Sequence, residues 1–252
     1  MNAPLEQFAR SFGSVAAIYD AHRPEYPPEA LDRAVAGLGL PPEAEVVDLA
    51  AGTGKLTRRL VERFARVVAV EPDDRMRAML EATTDGIEVR AATAEQTTLP
   101  ERSADAVFVA DAFHWFATDA ALREIARVLK PGGGLVLLWN HWWRLEPPFP
   151  DEIRTAFDEA WQTTGRREVQ GDLDAWRTAF EGSPFGDRHE AVLTREQELT
   201  AREVAALYLT TSSIAALPDG RRDELRALLE RGLSGTYLMP IETTVSWTRL
   251  AR

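Results

Sequence analysis

The sequence of 252 residues contains no cysteine. This absence excludes disulfide bonds, zinc–thiolate sites and catalysis by a thiol. An excess of basic residues is also absent, and the net charge of −11 argues against a nucleic-acid partner, whose phosphates require a basic surface. No apolar run reaches the ~18 residues of a membrane span, and residues 1–10 lack the pattern of a secretory signal. We therefore expect a cytoplasmic globular protein without nucleic-acid or membrane partners, whose oligomeric state the sequence leaves open.

Signatures of metal sites and hydrolases are missing as well. The histidines are His22, His114, His141 and His189, and none of them pairs with another at the i, i+4 spacing of a helical metal site, so we expect no bound metal. A G-x-S-x-G nucleophile elbow is also lacking, which argues against an α/β-hydrolase.

Between residues 45 and 140 the chain alternates short apolar runs with amphipathic runs. Strand-like runs occupy 45–49, 66–70, 87–91, 104–110 and 135–140, and helix-like runs occupy 55–64, 73–81 and 120–129. Such alternation predicts βαβ units and a mostly parallel sheet. After residue 140 we expect helices over 153–161, 174–180, 202–210 and 222–229, and strands over 190–199 and 241–250.

The small-residue turn after the first strand, residues 50–54, is the most informative motif. Asp48 precedes the turn, Gly52 and Gly54 lie within it, and Glu71 ends the second strand. A Walker A phosphate loop is excluded by the missing first glycine and the missing Ser or Thr after the lysine. A dinucleotide fingerprint would need a small third residue, where the chain has Thr57, and it leaves Asp48 unexplained.

A third interpretation fits more of the residues. The pattern Asp48-x-Ala50-x-Gly52-x-Gly54 with Glu71 resembles motif I and its partner acid in class I S-adenosylmethionine-dependent methyltransferases. The resemblance extends to 92–95, 110–116 and 124–133, and to the N-terminal segment 12–27, which is similar to the small-molecule branch that includes trans-aconitate methyltransferase-like enzymes. Ala50 replaces the usual first glycine, and since alanine disfavours positive φ, we expect the turn to avoid it there.

The resemblance implies an α/β fold with a Rossmann-like, mostly parallel seven-stranded sheet, helices on both faces and the last strand antiparallel. We expect a single domain over 1–252, with a core of about 40–140 plus 236–252 and a helical lid from 1–40 and 141–235. The resemblance also implies S-adenosyl-L-methionine as the cofactor and S-adenosyl-L-homocysteine as the product. The implied cofactor-binding residues are Tyr19, Arg23, Asp48, Ala50, Gly52, Gly54, Glu71, Pro72, Met76, Ala94, Glu95 and Asp111.

The methyl acceptor is expected to be a small organic molecule. Aromatic residues that follow the fourth and fifth strands, together with one from a later helix, form the candidate substrate pocket: Trp115, Trp139, Trp142, Trp143 and Tyr208. His114 and His141 are the candidate general bases, although a carboxylate acceptor would need none and could pair with Arg23 or Arg144. Two alternatives stay open at this point: an NAD-type oxidoreductase with a degenerate fingerprint, and a non-catalytic cofactor-binding protein.

Overall fold

The computed structural model describes residues 12–142, 149–163 and 175–251. The chain divides into two compact units. We call the unit formed by Glu25–Asn140, Asp174–Leu193 and Glu242–Arg252 the core unit. The other, formed by Met1–Pro24, His141–Leu173 and Thr194–Ile241, is called the helical unit.

A seven-stranded sheet has the strand order β3-β2-β1-β4-β5-β7-β6. The strands are β1 (Glu45–Leu49), β2 (Arg66–Val70), β3 (Glu88–Arg90), β4 (Ala104–Ala110), β5 (Leu129–His141), β6 (His189–Thr200) and β7 (Thr236–Arg249). The first five strands run parallel to one another, and the last strands run antiparallel, which confirms the predicted mixed sheet. Because β1 pairs with both β2 and β4, the residues that follow these three strands lie at one edge of the sheet.

The helices surround the sheet as the Rossmann-like prediction requires. They are α1 (Ala16–His22), α2 (Pro28–Gly37), α3 (Lys55–Val61), α4 (Asp74–Thr83), α5 (Asp119–Val128), α6 (Asp151–Thr163), α7 (Ala201–Leu209), α8 (Ser212–Ala215) and α9 (Asp219–Gly232). Short 3-10 helices cover Phe12–Val15, Phe113–Trp115 and Ala175–Phe180. Side-chain caps stabilise the N-termini of two helices. Asp73 accepts hydrogen bonds from the amides of Arg75 and Met76 at the start of α4, and Thr118 caps α5.

Several boundaries differ from those that the sequence predicts. Strand β5 begins at Leu129 instead of residue 135, so it contains the Pro131–Gly134 segment that turn propensity would place in a loop. The register of β4 against β5 shifts between Ala104 and Ala106, which accommodates this irregular start. The segment predicted as a helix over 174–180 forms a 3-10 helix from Ala175.

Each unit has its own apolar core. In the core unit, α2 and α3 pack their apolar faces with β1, β4 and β5, through residues such as Leu31, Leu60 and Phe108. The helical unit has a separate cluster built on Ile153, Val204 and Leu229. Among the described residues, none of the helices combines the length and the apolar composition needed to cross a membrane.

Candidate functional site

The turn after β1 contains three residues in the left-handed region. Ala50 has φ +58°, Gly52 has φ +58° and Gly54 has φ +87°. The expectation that Ala50 would avoid positive φ is therefore wrong. Hydrogen bonds from the Ala51 amide to the Val70 carbonyl (3.1 Å) and from the Gly54 amide to the Ala51 carbonyl (3.0 Å) hold the turn in this shape, so the tertiary structure overrides the local preference of alanine.

The two glycines of the turn serve different purposes. A Cβ on Gly54 would lie 2.5 Å from Leu80 Cδ1, so glycine there permits close packing of the turn against α4. A Cβ on Gly52 would meet no atom within 4 Å. The backbone beside Gly52 thus faces open space that a ligand can approach.

Asp48 is buried directly beneath this turn, with 1% of its surface exposed. Its Oδ2 accepts a hydrogen bond of 2.6 Å from the hydroxyl of Thr57, while Oδ1 is buried without a hydrogen-bond partner among the described residues. Burial raises the pKa of Asp48 to about 7, and the nearby charge of Glu71 raises it further, against the lowering effect of the Thr57 hydroxyl. Asp48 and Thr57, the two residues that do not fit a dinucleotide fingerprint, therefore form one hydrogen-bonded pair.

Glu71 lies at the tip of β2, opposite the turn. Its Oε2 accepts from the Gly52 amide and its Oε1 from the Asp73 amide, both at 2.8 Å. Burial raises the pKa of Glu71 to about 7, although both amide hydrogen bonds act in the opposite direction. The carboxylate is thus fixed in orientation, with Pro72 following it and Met76 buried in the first turn of α4.

Residues after β3 and β4 complete the edge of the sheet in the core unit. Ala94 is buried and Glu95 half-buried in the turn closed by the bridge between Thr93 and Gln96, and Glu95 makes no hydrogen bond or ion pair within the described part of the chain. Asp111 follows β4 with φ +50°. The structure thus places acidic side chains near the end of β1 and after β2, β3 and β4.

Four residues at or next to this edge were not among the predicted site residues: Tyr26, Asn140, Lys55 and Glu25. The Tyr26 hydroxyl donates to Asp111 Oδ2 at 2.7 Å, and the Asn140 amide donates to Asp111 Oδ1 at 3.1 Å. Lys55, which is largely buried at the start of α3, pairs with Glu25 at 2.6 Å. Tyr26 and Asn140 are 85 and 29 residues from Asp111, so only a three-dimensional structure brings these residues together.

The histidine and tryptophans predicted after β4 and β5 also meet in the core unit. Trp139 Nε1 donates to His114 Nδ1 at 3.4 Å, and the rings of His114 and Trp115 have centroids 4.5 Å apart. Trp139 stacks on Trp176 with a centroid distance of 4.5 Å. Trp176 was not predicted, because its segment carries no motif and lies far along the chain.

The remaining predicted residues belong to the helical unit. The Arg23 guanidinium lies 4.8 Å from the Tyr19 ring centroid and 5.1 Å from that of Trp142, and it donates to the hydroxyl and carbonyl of Thr210 at 2.8 Å each. Trp142 packs edge-on against Tyr208 with centroids 5.2 Å apart. The helical unit thus collects Tyr19, Arg23, Trp142 and Tyr208 into one cluster.

Three more predicted residues lie at or after the end of β5. His141 is buried at the last position of β5 and belongs to the helical unit. Trp143 and Arg144 lie outside the described residues. The described residues contain no group of three potential metal ligands.

Comparison with known proteins then identifies the family. Residues 47–137 match the model of a methyltransferase domain. A methyltransferase-like protein of Schizosaccharomyces pombe is 30% identical over 225 residues, which span 88% of this chain and 85% of that protein. The chain belongs to the class I S-adenosylmethionine-dependent methyltransferases.

Other methyltransferases match over different extents. An uncharacterised methyltransferase of Mycobacterium tuberculosis is 47% identical over 141 residues, so the match spans 56% of this chain and only 56% of that relative. A solved candidate type II methyltransferase of Anaeromyxobacter dehalogenans has a TM-score of 0.59 at 24% identity, covering 91% of this chain and 97% of the other. A geranyl diphosphate C-methyltransferase of Streptomyces coelicolor has a TM-score of 0.50 at 14% identity, covering 88% of this chain and 75% of the other. These two structures support the methyltransferase fold.

Proposed function

We propose that this protein transfers a methyl group from S-adenosyl-L-methionine to a small organic acceptor. The observation that supports this most is the charge of the site. Asp48 lies near the end of β1, Glu71 and Asp111 follow the neighbouring strands β2 and β4, and Lys55 at the start of α3 is paired with Glu25. Such an acidic edge suits a cofactor that carries a sulfonium and an ammonium group. It would repel the pyrophosphate of a dinucleotide, which disfavours the oxidoreductase alternative.

The proposed cofactor contacts follow the order of the strands. Glu71, whose oxygens retain lone pairs beyond the two amide hydrogen bonds, would accept hydrogen bonds from the ribose hydroxyls. The turn 50–54 would meet the amino-acid end through the open space beside Gly52. Asp111 would hold the ammonium group.

The adenine ring would be held by residues after β2 and β3. Pro72 and Met76 would flank the ring, and Glu95, with the Ala94 amide, would receive its amino group. Glu95 suits this part because its carboxylate has no hydrogen bond or ion pair within the described residues. Tyr19 and Arg23, which belong to the helical unit, stay predictions from the sequence as contacts of the cofactor carboxylate, and Thr210 orients the Arg23 guanidinium within that unit.

For the transfer itself, the bound cofactor supplies a methyl group on positively charged sulfur, which is a good leaving group. The protein then has to align the acceptor with that methyl group and exclude water, and alignment alone can contribute ~7–11 kcal/mol. Trp115 and Trp139 are the proposed acceptor contacts in the core unit, and Trp142, Trp143 and Tyr208 stay predictions from the sequence. His114 or His141 would remove a proton where the acceptor has to lose one. The subfamily that we propose is the small-molecule branch with trans-aconitate methyltransferase-like members.

Calorimetric titration with S-adenosylhomocysteine tests this function. We expect binding at tens of micromolar or tighter, and none with NAD at the same concentrations. Glu71→Gln should weaken binding, whereas Glu81→Gln, an exposed substitution on α4, should leave it unchanged. Binding of NAD in place of S-adenosylhomocysteine would refute the proposal.

A transfer assay separates an enzyme from a cofactor-binding protein. Radiolabelled S-adenosylmethionine is incubated with a panel of small carboxylic acids, amines and phenols, and extracted label is counted. We expect at least one labelled product. Cofactor binding without transfer to any acceptor in a broad panel would instead favour the non-catalytic alternative.

A further inference from the structure

The side chain of Asp111 is held from two directions by neutral hydrogen-bond donors. Tyr26, a buried residue just before α2, donates its hydroxyl to Oδ2 at 2.7 Å. The backbone amide of Asn140, near the end of β5, donates to Oδ1 at 3.1 Å. Each oxygen therefore accepts a hydrogen bond from a donor that fixes its direction.

Both donors are themselves fixed. Asn140 is 1% exposed, and its side chain accepts from the Thr243 hydroxyl at 2.6 Å and donates to the Glu25 carbonyl at 3.4 Å. Glu25 in turn pairs with Lys55 at 2.6 Å. The dipeptide Glu25–Tyr26 thus connects the start of α3, the residue after β4 and the end of β5.

The backbone of Asp111 is also held in an unusual conformation. Its φ of +50° lies in the left-handed region, and its amide donates to the Leu138 carbonyl at 2.8 Å. A residue keeps this conformation where several surrounding contacts fix it, and such residues cluster at ligand sites. The hydrogen bonds from Tyr26 and Asn140 are contacts of this kind at the side chain of Asp111.

We propose that Tyr26 is a positioning residue that, with the backbone amide of Asn140, orients the Asp111 carboxylate to receive the ammonium group of the cofactor. This inference rests on the proposed function. Because the carboxylate is oriented before the cofactor arrives, less conformational freedom is lost on binding. Removing the Tyr26 hydroxyl would remove the donor to Oδ2 and so loosen the orientation of the Asp111 carboxylate, and recognition of the amino-acid end would weaken while recognition of the nucleoside would not.

The test compares two ligands on one substitution. Tyr26→Phe removes only the hydroxyl, and its binding is measured by calorimetry with S-adenosylhomocysteine and with methylthioadenosine, which lacks the amino-acid end. We expect the Kd for S-adenosylhomocysteine to rise about ten-fold, and the Kd for methylthioadenosine to stay unchanged. Tyr237→Phe, a matched change in the helical unit, should alter neither.

Asp111→Asn and the double variant show whether Tyr26 acts through Asp111. If it does, Tyr26→Phe causes no further loss of S-adenosylhomocysteine affinity in the Asp111→Asn background. Equal losses for both ligands, additive losses in the double variant, or an unchanged Kd in Tyr26→Phe would each overturn the inference. Wild-type protein that binds neither ligand would instead refute the proposed function, and this inference with it.

Discussion

Replacing Ala50 by glycine should stabilise the protein, although it removes a side-chain methyl group. The φ of +58° places Ala50 in the left-handed region, which costs an L-residue roughly 1–2 kcal/mol. Glycine has no such penalty, but it gives the unfolded chain extra freedom that offsets about 0.4–1 kcal/mol. The net gain is about 0.5–1 kcal/mol, which corresponds to a rise in Tm of roughly 1–4 °C for a chain of this size.

Two further substitutions in the same turn complete the series. Gly52→Ala adds a methyl group in open space at φ +58°, so it should cost only the backbone strain, about 0.5–1 kcal/mol net. Gly54→Ala at φ +87° also places a Cβ 2.5 Å from Leu80 Cδ1, and overpacking of this kind costs roughly 1–3 kcal/mol more. The expected order of stability is Ala50→Gly, wild type, Gly52→Ala and Gly54→Ala.

Urea denaturation of the ligand-free proteins, followed by circular dichroism, measures these differences in the free energy of unfolding. The m-values should agree across the series, since the substitutions change little of the surface that unfolding exposes. Our account of the turn fails if Ala50→Gly is less stable than wild type, or if Gly54→Ala is no worse than Gly52→Ala.

Further predictions concern the carboxylates beneath and beside the turn. Glu71→Ala should weaken S-adenosylhomocysteine binding more than His114→Ala does, and calorimetry giving the reverse order would contradict the proposed roles. Thr57→Val should destabilise the protein by roughly 1–3 kcal/mol in urea titrations at pH 8, because buried Asp48 loses its hydrogen bond; an unchanged midpoint would contradict this. Since burial raises the pKa of Asp48 and of Glu71 to about 7, the folded state holds protons that the unfolded state releases, so their contribution to stability falls as pH rises from about 4 through 7. The affinity for S-adenosylhomocysteine should rise between about pH 6 and pH 8, as the carboxylates of Asp48 and Glu71 ionise. An affinity that does not change with pH in this range would refute the raised pKa values.

The parts of the fold that follow from local pattern could be predicted from the sequence. The alternation of apolar and amphipathic runs is a property of short windows, and it was sufficient to predict a mostly parallel sheet. The Asp48–Thr57 hydrogen bond joins residues nine apart within one strand–helix unit, and both were already singled out as departures from a dinucleotide motif. Nothing in the residue types, however, indicated that they would bond to each other.

The parts that depend on distant segments could not be predicted. Tyr26 meets Asp111 across 85 residues, and Trp176 stacks on Trp139 from a segment without any motif. Intrinsic preference also gave a wrong result at Ala50, because tertiary hydrogen bonds outweigh a local penalty of roughly 1–2 kcal/mol. Sequence patterns report short-range preferences, whereas these contacts are set by the order of the strands in the sheet.

The two strained residues of the site occupy equivalent places in neighbouring strands. Ala50 follows β1 and Asp111 follows β4, the strands pair in parallel, and both residues have φ between +50° and +58°. A left-handed residue immediately after a strand turns the chain away from the strand direction, and ligands of open α/β sheets bind at the carboxyl ends of the strands. In each case the amide at or next to the strained residue is tied to a neighbouring strand, Ala51 to Val70 and Asp111 to Leu138. The two strained residues therefore lie at the same edge of the sheet, and this is the edge at which the acidic side chains gather.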